Sequence, residues 1–168
     1  MIRSRDPLAD PEPLIRRVYA YVAYRIGDGP DAEDVTSEVF ERALRYRDSY
    51  DSSRGEPMAW LVGIARRCLV NRPRSGALPA AELLEASEPA ELEDRTVARL
   101  TLARAVAQLR PFDRELIALR YGSDLTARQI GEIVDARTNA VEVSLHRALT
   151  HLRNLLEAES QPTEAHGL

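Results

Sequence analysis

The sequence contains a single cysteine, Cys68, and no lysine. One thiol cannot close an internal disulfide and gives no second ligand for a thiolate zinc site. The three histidines, His146, His151 and His166, do not supply the missing ligands. His146 and His151 fall on one predicted helix, but five positions apart they point in different directions. No metal site, no cofactor motif and no catalytic constellation is therefore read from the chain, and a non-enzymatic role is expected. Glycine is also scarce, at 8 of 168 residues, and aromatics make up 5%. With 44% hydrophobic and 30% charged residues, this composition suits a folded helical protein and argues against disorder. There is no run of about 18 apolar residues to cross a bilayer, and Met1 to Asp10 lacks the apolar stretch of a signal peptide. A cytoplasmic location without membrane insertion is the expectation.

The formal charge of −4 becomes informative once it is divided along the chain. Residues 1–74 carry 13 Arg against 12 acids, and residues 75–94 carry 6 acids and no base. Residues 95–157 carry 10 Arg against 7 acids, and residues 158–168 carry 2 acids. The C-terminal block is thus basic although the whole chain is acidic, a distribution that suits contact with nucleic acid.

Hydrophobic periodicity predicts helices and no strand of convincing length. Leu14, Ile15, Val18, Val22 and Ile26 mark a first helix, ended by Gly27 to Pro30. Asp31 is placed to cap a second, which carries Val35, Val39, Ala43 and Leu44 as its apolar stripe and runs to about Arg47. A polar loop covers Asp48 to Pro57, and a third helix spans about Pro57 to Arg72, where Pro73 interrupts. The acidic segment 75–94 reads as a linker, with Ala80 to Ala86 transiently helical. Helical pattern resumes from about Arg95 to Leu109 and again from Phe112 to Tyr121. Thr126 and Gln129 form a capping box opening a helix to about Val134, and a last helix runs from about Asn139 to Glu157 before a loose tail, 158–168. The predicted fold is all-α, with two small helical domains, 1–74 and 95–157, joined by an acidic flexible linker.

Leu125 to Leu152 has the layout of a helix-turn-helix: a short capped helix, a break at Asp135 to Thr138, then a longer amphipathic helix. In that motif the second helix enters the major groove, about 12 Å wide, N-terminal residues first. With Val141 facing the core, Asn139, Val143, His146, Arg147 and Thr150 point outward and Glu142 lies on the flank. An ordinary helical hairpin with a solvated polar face fits the same pattern.

This segment extends back to Leu109, and two further runs join it. Leu109, Arg114, Leu119-Arg120-Tyr121, Leu125-Thr126, Ile130, Ile133, Val141 and Leu145 to Ala148 resemble the minus-thirty-five-binding region of extracytoplasmic-function sigma factors. Asp31 to Asp34 with Val35, Phe40 and Ala43-Leu44 resemble that family's polymerase-binding helix, and Trp60-Leu61, Ile64 to Arg66, Asn71 and Arg74 its minus-ten helix. These motifs cover nearly everything from Leu14 to Leu156 in the family's order. The resemblance implies Asp31, Glu33, Asp34 and Glu38 as contacts to core RNA polymerase. It implies Ser52, Arg54, Trp60, Arg66, Arg67, Asn71 and Arg74 at the minus-ten strand. It implies Arg137, Thr138, Asn139, Glu142, Val143, His146 and Arg147 at the minus-thirty-five duplex. It further implies promoter DNA and an anti-sigma factor as partners, and a linker threading the polymerase's active-site and RNA-exit channels.

Bland readings stand beside these. The carboxylates at Asp31, Glu33 and Asp34 also suit a helix N-terminus, where each contributes about 0.3–1 kcal/mol. Trp60, in register with Ile64, fits the core as well as a stacking platform; Cys68 fits as core filler; and the linker fits as a plain tether. The chain departs from the family at Glu142 and Ser144, where basic residues are usual, and at Pro73, inside the usual minus-ten helix. Two other functions remain to be weighed: a helix-turn-helix regulator, which leaves the first 74 residues without a role, and a sigma-like partner-binding protein without promoter activity. Because the linker has neither apolar periodicity nor bases for its acids, the two domains are expected to be loosely joined. Limited proteolysis should then cut first between about Ser75 and Arg95, and resistance there would mean that the domains pack together or that the linker is structured.

Overall fold

The computed structural model describes residues 6–73 and 89–161. Among these, every regular element is helical. The predicted transient helix at Ala80 to Ala86, most of the acidic linker and Arg74 lie outside the described residues.

The N-terminal domain is built from α1 (Pro11–Ile26), α2 (Pro30–Arg45), a short 3-10 turn (Arg47–Ser49) and α3 (Pro57–Leu69). Each of the three α-helices opens on a proline in its first turn, where a missing N–H costs nothing and the fixed φ suits the helix. Val18, Tyr21, Val22, Val35, Val39, Leu61, Val62 and Ala65 are fully buried where the three meet. Cys68 is also buried, as the core-filler reading expects, and that burial pushes its thiol above the ordinary range.

Three expectations need correction here. Gly29, not Asp31, occupies the N-cap of α2, and Asp31 lies in the first turn behind Pro30. Leu44, at the end of α2, and Ile15 of α1, both read as apolar-stripe residues, are exposed. The third helix stops at Leu69 instead of Arg72, because the residue before a proline is disfavoured in the helical region and Asn71 turns to φ 65°.

The C-terminal domain comprises α4 (Pro89–Gln108), α5 (Pro111–Ile117), a π-helical turn (Ala118–Gly122), α6 (Ala127–Val134) and α7 (Thr138–Ser160). Residues 89–94, assigned by sequence to the linker, already belong to α4, and residues 158–160 extend α7 into the expected tail. The single helix expected over Phe112 to Tyr121 changes register at Ala118, whose carbonyl accepts from the Ser123 amide five residues on, at 3.0 Å. Arg114 donates to the Val106, Ala107 and Leu109 carbonyls, capping the end of α4. The predicted capping box is present: the Gln129 amide donates to Thr126 Oγ1 at 3.2 Å and the Thr126 amide to Gln129 Oε1 at 2.9 Å.

The two domains, expected to be loosely joined, are in contact in this structure. One apolar cluster runs without a break from α1, α2 and α3 into Leu116, Leu119, Leu125, Ile130, Val141 and Leu145. A smaller cluster of Ala105, Val106, Leu109, Ile117, Ala148 and Leu152 holds α4, α5 and α7 together. An amphipathic stripe says that a face is covered without saying by which element, so its period cannot separate a domain's own core from a domain junction.

The α6–α7 turn depends on Gly131. A Cβ there would lie 2.5 Å from the Ala136 carbonyl oxygen, which is backbone and cannot swing away. Gly131→Ala should therefore destabilise the protein by about 1–3 kcal/mol in a denaturation titration; an unchanged midpoint would mean that the turn tolerates wider spacing.

Candidate polymerase and nucleic-acid interfaces

At the start of α2 the three carboxylates Asp31, Glu33 and Asp34 are exposed and make no ion pair among the described residues. No side chain caps this helix, so the carboxylates lie free beside the positive end of its dipole. The fourth predicted contact differs: Glu38 is half-buried and held by Arg42 at 2.7 Å and Arg72 at 2.8 Å. It ties α2 to the chain following α3, and its carboxylate is already engaged.

The loop between α2 and α3 is shaped from within. Asp51 accepts from the Ser53 amide at 2.9 Å and its hydroxyl at 2.6 Å, and these bonds hold the Asp51 carboxyl below its usual range. The Tyr50 hydroxyl donates to the Gly55 carbonyl at 3.0 Å, and its ring lies 5.4 Å from that of Trp60 at a 57° tilt. Ser52 and Arg54 are exposed. Tyr50, Asp51, Arg54, Gly55 and Trp60 line a pocket of about 240 Å³. Trp60 belongs to both readings weighed for it, since the side chain is half-buried against the core and also forms a pocket wall.

Along α3 the predicted minus-ten contacts separate. Arg67 and Asn71 are exposed, whereas Arg66 reaches into the other domain. Its Nε lies 3.1 Å from Glu115 Oε1, and its guanidinium donates to the Ile133 carbonyl at 2.8 Å.

The second helix of the helix-turn-helix, α7, has the expected orientation. Val141, Leu145, Ala148 and Leu152 are buried, while Asn139, Glu142, Val143, His146, Arg147 and Thr150 are exposed. Arg137 stands at the N-cap and Thr138 opens the helix, both exposed. Asp135 in the left-handed region, φ 54°, ends α6 and turns the chain sharply enough to present this face. The Thr150 hydroxyl donates back to the His146 carbonyl at 2.9 Å.

Sequence reasoning missed the junction between the domains. Glu115 is 6% exposed. Its carboxylate lies between Arg25 and Arg66, and accepts from the Tyr21 hydroxyl at 2.9 Å. Burial pushes the Tyr21 hydroxyl up, which keeps it protonated as a donor. Arg17 donates to the Ser123 carbonyl at 2.9 and 2.6 Å. A signal existed: Glu115 stands four residues before Leu119, on the stripe that faces the core, where a lone carboxylate needs a partner.

These features define a class, a two-part helical protein with a helix that opens on exposed acids, an arginine-bearing loop and helix after it, and a helix-turn-helix. The family models agree with it part by part: sigma-70 region 2 matches residues 12–77 and sigma-70 region 4 matches residues 99–152. The chain belongs to the extracytoplasmic-function sigma factors. It is 30% identical over 152 residues to the ECF RNA polymerase sigma factor BldN of Streptomyces coelicolor, an alignment spanning 86% of this chain and 58% of that protein. It is 29% identical over 151 residues to the ECF RNA polymerase sigma factor SigK of Mycobacterium ulcerans, spanning 84% and 81%. Among solved structures, CnrH in complex with the cytosolic domain of CnrY is similar at TM-score 0.60 and 25% identity, over 88% of this chain and 82% of that one. The sigma factor RpoE in complex with the anti-sigma factor NepR from Bartonella quintana shares the fold, at TM-score 0.67 and 17% identity, over 87% and 93%. Among the described residues no helix is long and apolar enough to cross a membrane.

The exposed face of α7 predicts a division of labour. Arg147→Ala should weaken binding to all duplex sequences alike and lower the salt dependence by about one phosphate contact. Glu142→Lys should strengthen nonspecific binding and relax discrimination at one or two base pairs by about 1–3 kcal/mol. Selection from a randomised upstream element checks both, and an identical consensus for Glu142 and its Lys variant would remove Glu142 as a reader.

Proposed function

We propose that this chain is an alternative sigma factor that joins core RNA polymerase, captures the melted minus-ten strand and docks its helix-turn-helix on the minus-thirty-five duplex. The observation that carries the proposal is the coexistence, on one chain, of the unpaired carboxylates of α2 and the exposed polar start of α7. A duplex-binding regulator needs only the second.

Asp31, Glu33 and Asp34 would meet a basic surface of the polymerase, where exposed charge supplies steering and register more than affinity. Glu38 would act indirectly, by fixing α2 against the end of α3. Arg54 and Trp60 would hold an extruded base in the loop pocket, with exposed Ser52 on the same loop outside its lining and Arg66, Arg67, Asn71 and Arg74 on the strand's backbone. Arg137 to Asn139, Val143, His146 and Arg147 would face the upstream duplex, with Glu142 accepting from a cytosine amino group. Acidic residues of the linker would follow a polymerase channel lined with cations. Chemistry would remain with the polymerase, and the chain would work in the cytoplasm without a cofactor. CnrH and RpoE are seen bound to CnrY and NepR, and an anti-sigma factor is proposed here as well.

Transcription of genomic DNA by core polymerase should acquire a new set of start sites when the purified chain is added. No new start sites would contradict the proposal and favour a partner-binding role. Glu33→Arg with Asp34→Arg should abolish core binding in a pull-down while far-ultraviolet circular dichroism stays nearly unchanged; full retention of binding would move the polymerase contact elsewhere.

A further inference from the structure

The junction buries charge where a flexible tether alone would leave it in water. Glu115, from α5, sits between Arg25 of α1 and Arg66 of α3, with the Tyr21 hydroxyl as a third partner. Removing either arginine from a buried carboxylate would be costly, so the contact holds only while the two domains stay together. The backbones also meet closely. A Cβ on Gly122 would lie 2.8 Å from the Tyr21 nitrogen and 2.9 Å from its Cα, so only glycine permits this approach of the π-helical turn to α1.

This packing has unequal effects on the proposed surfaces. The carboxylates of Asp31, Glu33 and Asp34 remain exposed. Arg66, by contrast, is committed to Glu115 and to the Ile133 carbonyl. The loop pocket beside Trp60 is walled on its far side by Gln129, Glu132 and Ile133 of α6. A strand entering there meets a carboxylate, Glu132, and finds one of its cations already neutralised.

We propose that the packed arrangement is an autoinhibited state of the free chain, in which Glu115 takes the place of a DNA phosphate on Arg66 and α6 closes the minus-ten pocket. The inference rests on the sigma-factor reading for the meaning of the covered surface, though not for the existence of the closed state. The closed chain can still present α2 to the polymerase, but it reads the minus-ten strand only after the domains part. Parting returns Glu115, Arg25 and Arg66 to water, which offsets their lost pairing. The apolar contacts of Leu116 and Leu119 oppose it. Opposed terms of this kind make a contact that a large partner surface can open.

The test uses the full chain with spin labels on Glu41→Cys and Arg153→Cys, both exposed positions, one in each domain. Cys68 is buried and stays unlabelled. Pulsed dipolar spectroscopy should give one narrow distance distribution for the otherwise native chain. Gly122→Ala, which disturbs only the approach to α1, and Glu115→Gln, which keeps shape and removes charge, should each broaden and lengthen it with helicity preserved. Both variants should bind a fluorescent single-stranded minus-ten oligonucleotide about tenfold more tightly if about a tenth of native chains are open, since apparent affinity scales with the competent fraction. A native distribution as broad as that of Gly122→Ala would overturn the closed state. Opened Glu115→Gln with unchanged oligonucleotide affinity would overturn the role given to Arg66. Opening in both variants without binding of the oligonucleotide by any chain would support the closed state and count against the promoter reading.

Discussion

The arrangement of the whole molecule depends on one buried carboxylate. Glu115 is removed from water and so requires compensating charge and donors, and α1 and α3 supply them as Arg25, Tyr21 and Arg66. A pair of this kind adds little net stability over an apolar contact of the same shape, but it fixes which surfaces meet and in what register. The apolar residues around it, Leu116, Leu119 and Leu125 on one side and Val18 and Val22 on the other, are less selective and supply the bulk of the burial. The π-helical turn adjusts the chain locally so that Gly122 passes against Tyr21 and the Ser123 carbonyl reaches Arg17.

From this junction the accessible surfaces follow. The start of α2 and the outer face of α7 are left to solvent, and both carry the side chains expected to meet macromolecular partners. The surface between them, along α3 and its preceding loop, is partly occupied by the chain itself. In the proposed closed state promoter engagement would be tied to domain separation, because the same Arg66 cannot serve Glu115 and a phosphate at once.

Much of this was legible in the sequence, for reasons that differ element by element. The α6–α7 unit was readable because its signals are local: a capping box at Thr126 and Gln129, a turn at Asp135 and a clean stripe from Val141 to Leu152. The exposure of Asn139, Glu142, Val143, His146 and Arg147 followed from helical geometry alone. Helix ends were less readable: Pro30 displaced the cap expected at Asp31, and with Asn71 turned ahead of Pro73 the third helix ended at Leu69, three residues short of the expected Arg72. The domain junction was illegible because its residues are far apart in sequence, Tyr21 and Arg25 with Glu115, or Arg66 with Ile133. Periodicity shows that a face is buried; pairing across the fold has no one-dimensional signal beyond an acid standing on an apolar stripe.

The central claim, that one chain couples strand capture at minus ten to duplex docking at minus thirty-five, is tested most directly by footprinting a promoter bound by core polymerase and this protein. Permanganate reactivity reports unpaired thymines at the minus-ten element, and hydroxyl-radical protection reports the upstream duplex in the same complex. The account predicts both signals together, with upstream protection lost and the opened region weakened when Arg147 is changed to Ala. Upstream protection on a fully paired minus-ten element, unchanged by core polymerase, would contradict it and leave a duplex-binding regulator in its place.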